Sequence, residues 1–155
     1  MIRMAVGAML LAAATCHAQI DVSKVLLWRR GNPVQLQAPL SVAVAKECQS
    51  LLLTANDTVL LVLNGKRLDA MKRGEAVEVY LSMPAQGIVN GAAIVFDKIL
   101  VPLSNSPQEG LVLFSGKFGS APEPGDVLDY GAVTFVVNKR GSAALRDLLR
   151  TQLTK

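Results

Sequence analysis

Residues 75–81 read Glu-Ala-Val-Glu-Val-Tyr-Leu, and this stretch decides how the rest of the chain is interpreted. Val77, Val79 and Leu81 occupy every second position. Successive side chains of a β-strand point to opposite faces of its sheet, so these three share one face. The stretch therefore predicts a strand whose apolar face packs against a core.

Short runs rich in Val, Ile and Leu recur along the chain and are separated by Gly, Pro, Asn and Ser. Short strands at regular spacing with turn residues between them are typical of a β-sandwich or barrel. We predict a mostly β chain: an antiparallel β-sandwich of Ig-like architecture, forming a single domain over residues 19–155. The other strands are predicted at 25–28, 34–38, 42–45, 51–53, 59–63, 92–96, 99–103, 111–114, 126–130 and 133–137.

Three stretches within or beside these runs carry signals for local structure. Asn64-Gly65 comes directly after the run 59–63 and predicts a type I′ hairpin turn, whose two central residues both need positive φ. Asp97-Lys98 is interpreted either as a tight turn or as the polar part of one long strand. In residues 34–38 the apolar side chains alternate with glutamines and are predicted to face the core.

The end of the chain changes character after Gly141 and consists of helix-forming residues. A short C-terminal helix is predicted over residues 142–153, with Ser142 as its N-cap. Such a helix would pack over an open end of the sandwich, or alternatively bind in the groove of a partner. Its apolar stripe consists of Leu145, Leu148, Leu149 and Leu153.

The beginning of the chain resembles a cleavable signal peptide over residues 1–18, with Arg3, then the apolar stretch Met4–Ala14, then small residues before a cleavage point after Ala18. The apolar stretch is shorter than the ~20 residues of a membrane span. Cleavage predicts a periplasmic or extracellular protein. Acylation at Cys16 is an alternative that would anchor the domain to a membrane, and a buried N-terminal helix of an intracellular protein is another.

Removal of residues 1–18 has chemical consequences. It removes His17, the only histidine, and Cys16, one of the two cysteines. Ser-His-Asp and Cys-His catalysis and histidine-based zinc sites are then excluded, and no cofactor or metal is predicted. The remaining Cys48 is predicted to be buried, or alternatively to link a homodimer through a disulfide.

Two acidic residues, Asp126 and Asp129, lie beside a segment rich in Gly and Pro, Ser115–Gly125. They are interpreted as solvated turn residues. The alternatives are a hydrolase that uses a carboxylate pair, with Glu123 as a further candidate, or a Ser-Lys dyad. The same segment would be the inserted loop if the protein were an inhibitor of a secreted enzyme.

Basic residues form two groups. Trp28-Arg29-Arg30 would be a binding platform, because Trp and Arg are enriched at interface hot spots, although Trp28 is equally a candidate for the core. The second group would contact an acidic protein or an anionic surface, or be ordinary solvated charge. This second group consists of Lys66, Arg67, Lys72 and Arg73.

The charge balance limits the partners. Without Arg3 the exported chain has 15 basic and 12 acidic residues, an excess too small and too dispersed to indicate nucleic-acid binding. The export signal and the missing catalytic side chains together predict a non-catalytic binding or assembly module. Its partner is predicted to be another protein of the cell envelope or of a secretion system.

Overall fold

A computed structural model describes residues 20–57, 63–103, 110–119, 128–131 and 135–153. Within these residues the chain is mostly β, with three helices. The elements are β1 (Val22–Arg29), β2 (Asn32–Gln35), α1 (Leu40–Leu53), α2 (Gly65–Arg73), β3 (Glu75–Val89), β4 (Ala92–Pro102), β5 (Leu111–Phe118), β6 (Phe135–Val137) and α3 (Ala143–Leu153).

The six strands form one antiparallel sheet in the order β2-β1-β3-β4-β5-β6. Arg30-Gly31 joins β1 to β2, and Asn90-Gly91 joins β3 to β4. All four of these residues have positive φ, between 48° and 81°. Both connections therefore match the two-residue type I′ turn, whose twist suits antiparallel strands.

One face of the sheet carries the main core. Helices α1 and α3 pack against this face, and their buried side chains meet those of the central strands. Val77 and Val79 of β3 lie here, as their alternation predicts. The helical contribution comes from Val44, Ala45, Cys48, Leu51, Leu52, Leu145 and Leu149.

The other face of the sheet carries a smaller cluster of buried side chains, and helix α2 packs on this face. Met71 of α2 packs against Ala76 and Leu100, with Trp28 and Tyr130 partly buried at the margin. Since side chains alternate along β3, Glu78 and Tyr80 belong to this face.

The predicted Ig-like sandwich is confirmed only as a mostly β architecture with a C-terminal helix. The described strands all belong to one sheet, so a second sheet is not confirmed within these residues. Residues 42–45 and 51–53, predicted as strands, belong instead to helix α1. Their buried residues, together with Cys48, recur at helical spacing, and Ala, Leu, Lys, Glu and Gln around them favour a helix.

The predicted hairpin at Asn64-Gly65 is also wrong. Asn64 is the N-cap of α2, where its side-chain oxygen accepts a hydrogen bond of 3.0 Å from the backbone N–H of Arg67. Asn is favoured both in type I′ turns and at N-caps, so the dipeptide alone does not distinguish them. Consequently, the basic residues after Gly65 lie on a helix rather than on a hairpin strand.

The strands show the outcome of two local predictions, at Asp97-Lys98 and at residues 34–38. Asp97-Lys98 belongs to one long strand, β4, and a register shift between Phe96 and Lys98 accommodates the extra residue. Of the apolar residues in 34–38, Leu36 is buried as predicted, but Val34 is 52% exposed and Ala38 is exposed as well. Val34 lies on β2, an edge strand with no core beyond it.

The predicted C-terminal helix is confirmed as α3. Leu145 and Leu149 are fully buried, but Leu148 is 39% exposed at the margin of the stripe. Ser142 does not act as a side-chain cap, since its hydroxyl is buried without a hydrogen-bond partner among the described residues.

Some predictions lie outside the described residues. These are the signal peptide 1–18 with Cys16, residues 59–62 of the run 59–63, residues 120–125 of the segment Ser115–Gly125 with Glu123, and Asp126. Of the predicted final hairpin, Phe135–Val137 is strand β6, while residues 128–131 are not in a strand.

Candidate functional site

The turn between β1 and β2 is fixed to the junction of α2 and β3 by two backbone hydrogen bonds. Arg30 N–H donates to Gly74 O at 3.2 Å, and Gly31 N–H donates to Lys72 O at 3.0 Å. Two segments far apart in the sequence are therefore held side by side. As a result, the predicted residues Arg30 and Arg73 lie at the same end of the sheet.

These residues surround a cavity of about 350 Å³, which we call the basic cavity. It is open to solvent, and an added Cβ on Gly31 would lie 3.5 Å from Cγ of Arg73, so the turn and the helix end are in contact. The basic cavity is lined by Arg29, Arg30, Arg73, Gly74 and Glu75.

Arg29 has a structural task within the basic cavity. Its Nη1 and Nη2 donate hydrogen bonds of 2.9 Å each to the carbonyl oxygens of Gln152 and Leu153 at the end of α3. Its Nε also lies 3.8 Å from Oε1 of Glu75. The last carbonyl groups of a helix lack partners within the helix, so Arg29 satisfies two of them and holds α3 against the sheet.

Arg30 and Arg73 differ from Arg29 because both are exposed. No carboxylate of the described residues lies within ion-pair distance of either guanidinium. Each therefore retains its charge and its fork of donors for a group outside the chain. A guanidinium matches a carboxylate or phosphate in a bidentate geometry.

Beneath α2, the carboxylate of Glu78 is the centre of a buried polar cluster, the Glu78 cluster. Trp28 Nε1–H donates to Oε2 at 2.7 Å, and Tyr130 O–H donates to Oε1 at 3.0 Å. Lys72 Nζ lies 3.0 Å from both carboxylate oxygens. Glu78 is only 1% exposed, and these three donors compensate its buried charge.

Lys72 makes a further contact within the Glu78 cluster. Its ammonium lies 4.5 Å from the centre of the Trp28 ring, within the range of a cation–π interaction. Trp28 is thus partly buried beside a buried ion pair, so neither the exposed platform nor the apolar core position describes it fully. The cation over its ring is a lysine of α2.

The Glu78 cluster shifts the pKa values of both tyrosines in the chain. Burial, and then the negative charge of Glu78, raise the pKa of Tyr130 well above 10. The same two causes raise the pKa of Tyr80 to about 12. Both phenols stay protonated at neutral pH, which keeps Tyr130 a hydrogen-bond donor to Glu78.

The predicted basic residues are therefore divided among three places. Trp28 and Lys72 join the Glu78 cluster, whereas Arg29, Arg30 and Arg73 line the basic cavity. Lys66 and Arg67 lie exposed near the start of α2. At 1.5 Å per residue this is about 10 Å along the helix axis from Arg73. The basic cavity thus contains Arg29 and Arg30 of the first predicted group and Arg73 of the second.

Glu78 and Tyr130 are the residues that sequence reasoning missed. Glu78 lies between Val77 and Val79, and a charged residue at that position normally faces solvent in a half-buried strand. The one signal for it is Lys72 at the end of the preceding helix, which can reach back to the strand. Nothing in the local sequence of Tyr130 indicates that its hydroxyl meets Glu78 across the fold.

Cys48 is free and fully buried in α1, as one of the two alternatives predicts. Burial, and secondarily the charge of Glu47, raise the pKa of its thiol. A thiol in this state is a poor nucleophile. A disulfide to a second chain would require α1 to separate from the sheet.

Asp129 is exposed, and its Oδ1 accepts a hydrogen bond of 2.7 Å from the backbone N–H of Tyr130. That geometry is typical of a turn residue. Among the described ranges, no three His, Cys, Asp or Glu side chains gather as metal ligands would. None of the helices in these ranges is long and apolar enough to cross a membrane.

Comparisons with known proteins identify no relative. No protein-family model matches the chain, and neither a curated protein nor a solved structure shows significant similarity to it. The geometry of the basic cavity therefore carries the functional interpretation.

Proposed function

We propose that this protein is an exported, non-catalytic binding module that recognises an acidic surface of another protein through the basic cavity. The observation that carries the proposal is the pair Arg30 and Arg73. Both are exposed and unpaired among the described residues, and both project from backbone that hydrogen bonds hold in place. A backbone that is already held in place loses less entropy on binding, which favours affinity.

The rest of the molecule supports a rigid recognition site. The Glu78 cluster ties α2 to β1 and β3, and so fixes the helix whose last residue is Arg73. Arg29 ties the same end of the sheet to α3. Residues that hold a site in place in this way are typical of binding surfaces built on regular secondary structure.

The charge pattern favours a protein partner over a nucleic acid or an anionic lipid surface. Glu75 lines the basic cavity beside the arginines, so the site has mixed charge rather than a continuous positive field. Interfaces between proteins are enriched in Arg and contain such mixed polar rims. Binding to a phosphate backbone or an anionic membrane usually needs a denser array of Lys and Arg.

The compartment belongs to the same proposal. Residues 1–18 resemble a signal peptide, which would deliver the domain to the periplasm or the exterior. We place the partner there, as a component of the cell envelope or of a secretion system.

Affinity capture tests the proposal. The tagged mature chain would be incubated with envelope and culture-fluid fractions, and the bound proteins identified by mass spectrometry. We expect one stoichiometric partner with an acidic surface, and we expect its capture to be lost with Arg30→Glu/Arg73→Glu. Lys139→Glu is the control, because Lys139 is exposed and lies outside the basic cavity.

Two outcomes would reject the proposal. One is recovery of the free protein alone. The other is equal capture of the same partner by the wild type and by the double variant, which would place the interface elsewhere.

A further inference from the structure

One edge of strand β1 is open over half its length. β1 has eight residues, but β2 pairs only with the segment from Leu26 to Arg29. The last cross-strand hydrogen bond runs from Leu36 N–H to Val25 O, at 2.9 Å. No described strand lies beside that edge from Val22 to Val25. Backbone N–H and C=O groups point alternately to the two sides of a strand, so some of them face this edge.

Helix α1 forms a wall opposite the open edge. Between them lies a cavity of about 390 Å³, which we call the β1–α1 groove. Leu36 and Ala45 are buried residues of its lining, while Val42 on the wall is 51% exposed. The wall residues lie on one side of the helix, at positions Ser41, Val42, Ala45, Lys46 and Gln49.

We propose that the β1–α1 groove binds an extended segment of a partner protein, which adds to β1 as a strand. The open backbone groups of β1 would supply main-chain hydrogen bonds, and α1 would cover alternate side chains of the added segment. Because side chains of a strand alternate, those facing Val42, Ala45 and Leu36 should be apolar. This site is separate from the basic cavity and does not depend on it.

The dimensions favour a short segment over a second copy of this chain. Because Val25 O already accepts a hydrogen bond from Leu36 N–H, the free part of the edge is shorter than the four residues from Val22 to Val25, which span about 13 Å at the rise of a β-strand. Stable interfaces between folded proteins bury about 1,200–2,000 Å², far more than so short a strand pairing supplies. The volume of the groove instead falls within the ~300–1,000 Å³ that is typical of ligand sites.

A displayed library of random peptides is the probe that tests the groove. The mature chain, from residue 19 onward, would select binding peptides, and their binding would be mapped by NMR amide shifts. We expect selected sequences in which apolar residues alternate, and shifts at Val22–Val25 and along the wall of α1. Val42→Glu should weaken binding by about tenfold or more, as loss of a central apolar contact does.

Leu148→Glu is the matched control, because Leu148 is similarly exposed on a helix but lies outside the groove. It should leave peptide binding unchanged. Circular dichroism would check that both variants remain folded. Selection of no peptide would contradict the proposal, as would shifts confined to other surfaces or a dimer formed through β1. None of these results bears on Arg30 and Arg73, so the two proposals fail independently.

Discussion

Replacement of Glu78 by alanine tests whether the Glu78 cluster fastens α2 to the sheet. The change removes the acceptor of Trp28 Nε1–H and Tyr130 O–H and the counter-charge of Lys72. Breaking a buried ion pair by removing one partner typically costs about 3–5 kcal/mol. Lys72 remains 18% exposed and can reach water in part, which points to the lower end, about 3 kcal/mol.

The assay is urea unfolding followed by tryptophan fluorescence, since Trp28 is the only tryptophan and lies within the cluster. A loss of about 3 kcal/mol in a domain of this size corresponds to a fall in Tm of about 10 °C. Glu75→Ala is the control on the same strand. Its pair with Arg29 is long and partly exposed, so its removal should cost less than about 1 kcal/mol.

A double-mutant cycle separates the ion pair from the other contacts. Lys72→Met alone leaves the buried carboxylate without its counter-charge, so it should also be strongly destabilising. Combined with Glu78→Ala it should cost less than the sum of the two single changes, by about 1–3 kcal/mol. A cost of under about 1 kcal/mol for Glu78→Ala, or full additivity with Lys72→Met, would refute this account of the cluster.

Three further predictions concern the core and the titrating groups. Leu149→Ala should lower the free energy of unfolding by about 2–5 kcal/mol in chemical unfolding. Leu148→Ala should lower it by under about 1 kcal/mol, because only Leu149 of the two is fully buried. Equal costs would contradict the packing of α3. Tyr80 and Tyr130 have folded pKa values above their unfolded value. The native state therefore holds more protons than the unfolded state at high pH. The contribution of the two phenols to stability is complete below about pH 10 and is lost as the pH rises through their pKa values in the folded protein. Titration of both phenols at their ordinary pKa in the folded protein, measured by ultraviolet absorbance, would contradict this. Cys48 should react with a thiol probe only after unfolding; fast labelling of the native mature chain, or a dimer on a non-reducing gel, would show that it is accessible.

Strand periodicity was the most informative sequence signal. The alternation at Val77, Val79 and Leu81 predicts β3 and its buried face, and the helical spacing of Leu145 and Leu149 predicts α3. Each pattern continues far enough along the chain to distinguish the two-residue repeat of a strand from the 3.6-residue repeat of a helix. The runs 42–45 and 51–53, taken separately, are too short to distinguish a strand from a helix. Only the spacing of the apolar residues over the whole of Leu40–Leu53 indicates α1.

The two Asn-Gly pairs adopt different structures although the dipeptide itself is the same. Asn90-Gly91 closes a hairpin between two long strands, whereas Asn64-Gly65 begins a helix. Asn suits both environments, so the difference arises from the neighbouring residues on the C-terminal side of each pair. After Asn64-Gly65 the chain continues with Lys, Arg, Leu and Ala, which favour a helix, rather than with a β-branched run.

The candidate site was predictable in its residue types but not in its grouping. An excess of Arg near Trp28 and again near Lys72 indicates a basic surface, and the structure joins part of each group. Which arginine is exposed depends on tertiary contacts: Arg29 binds the end of α3, and Arg73 does not. Contacts between residues this distant in sequence leave no local pattern.

The central claim, that Arg30 and Arg73 recognise an acidic protein partner, is tested most directly by charge exchange with the captured partner. Binding would be measured by calorimetry for the wild type, for Arg30→Glu/Arg73→Glu, and for the double variant with a partner whose facing acidic residues are changed to Arg. The proposal predicts loss of binding in the double variant and its recovery with the reversed partner. Unchanged binding of the double variant, or no recovery with any reversed acidic residue, would contradict it.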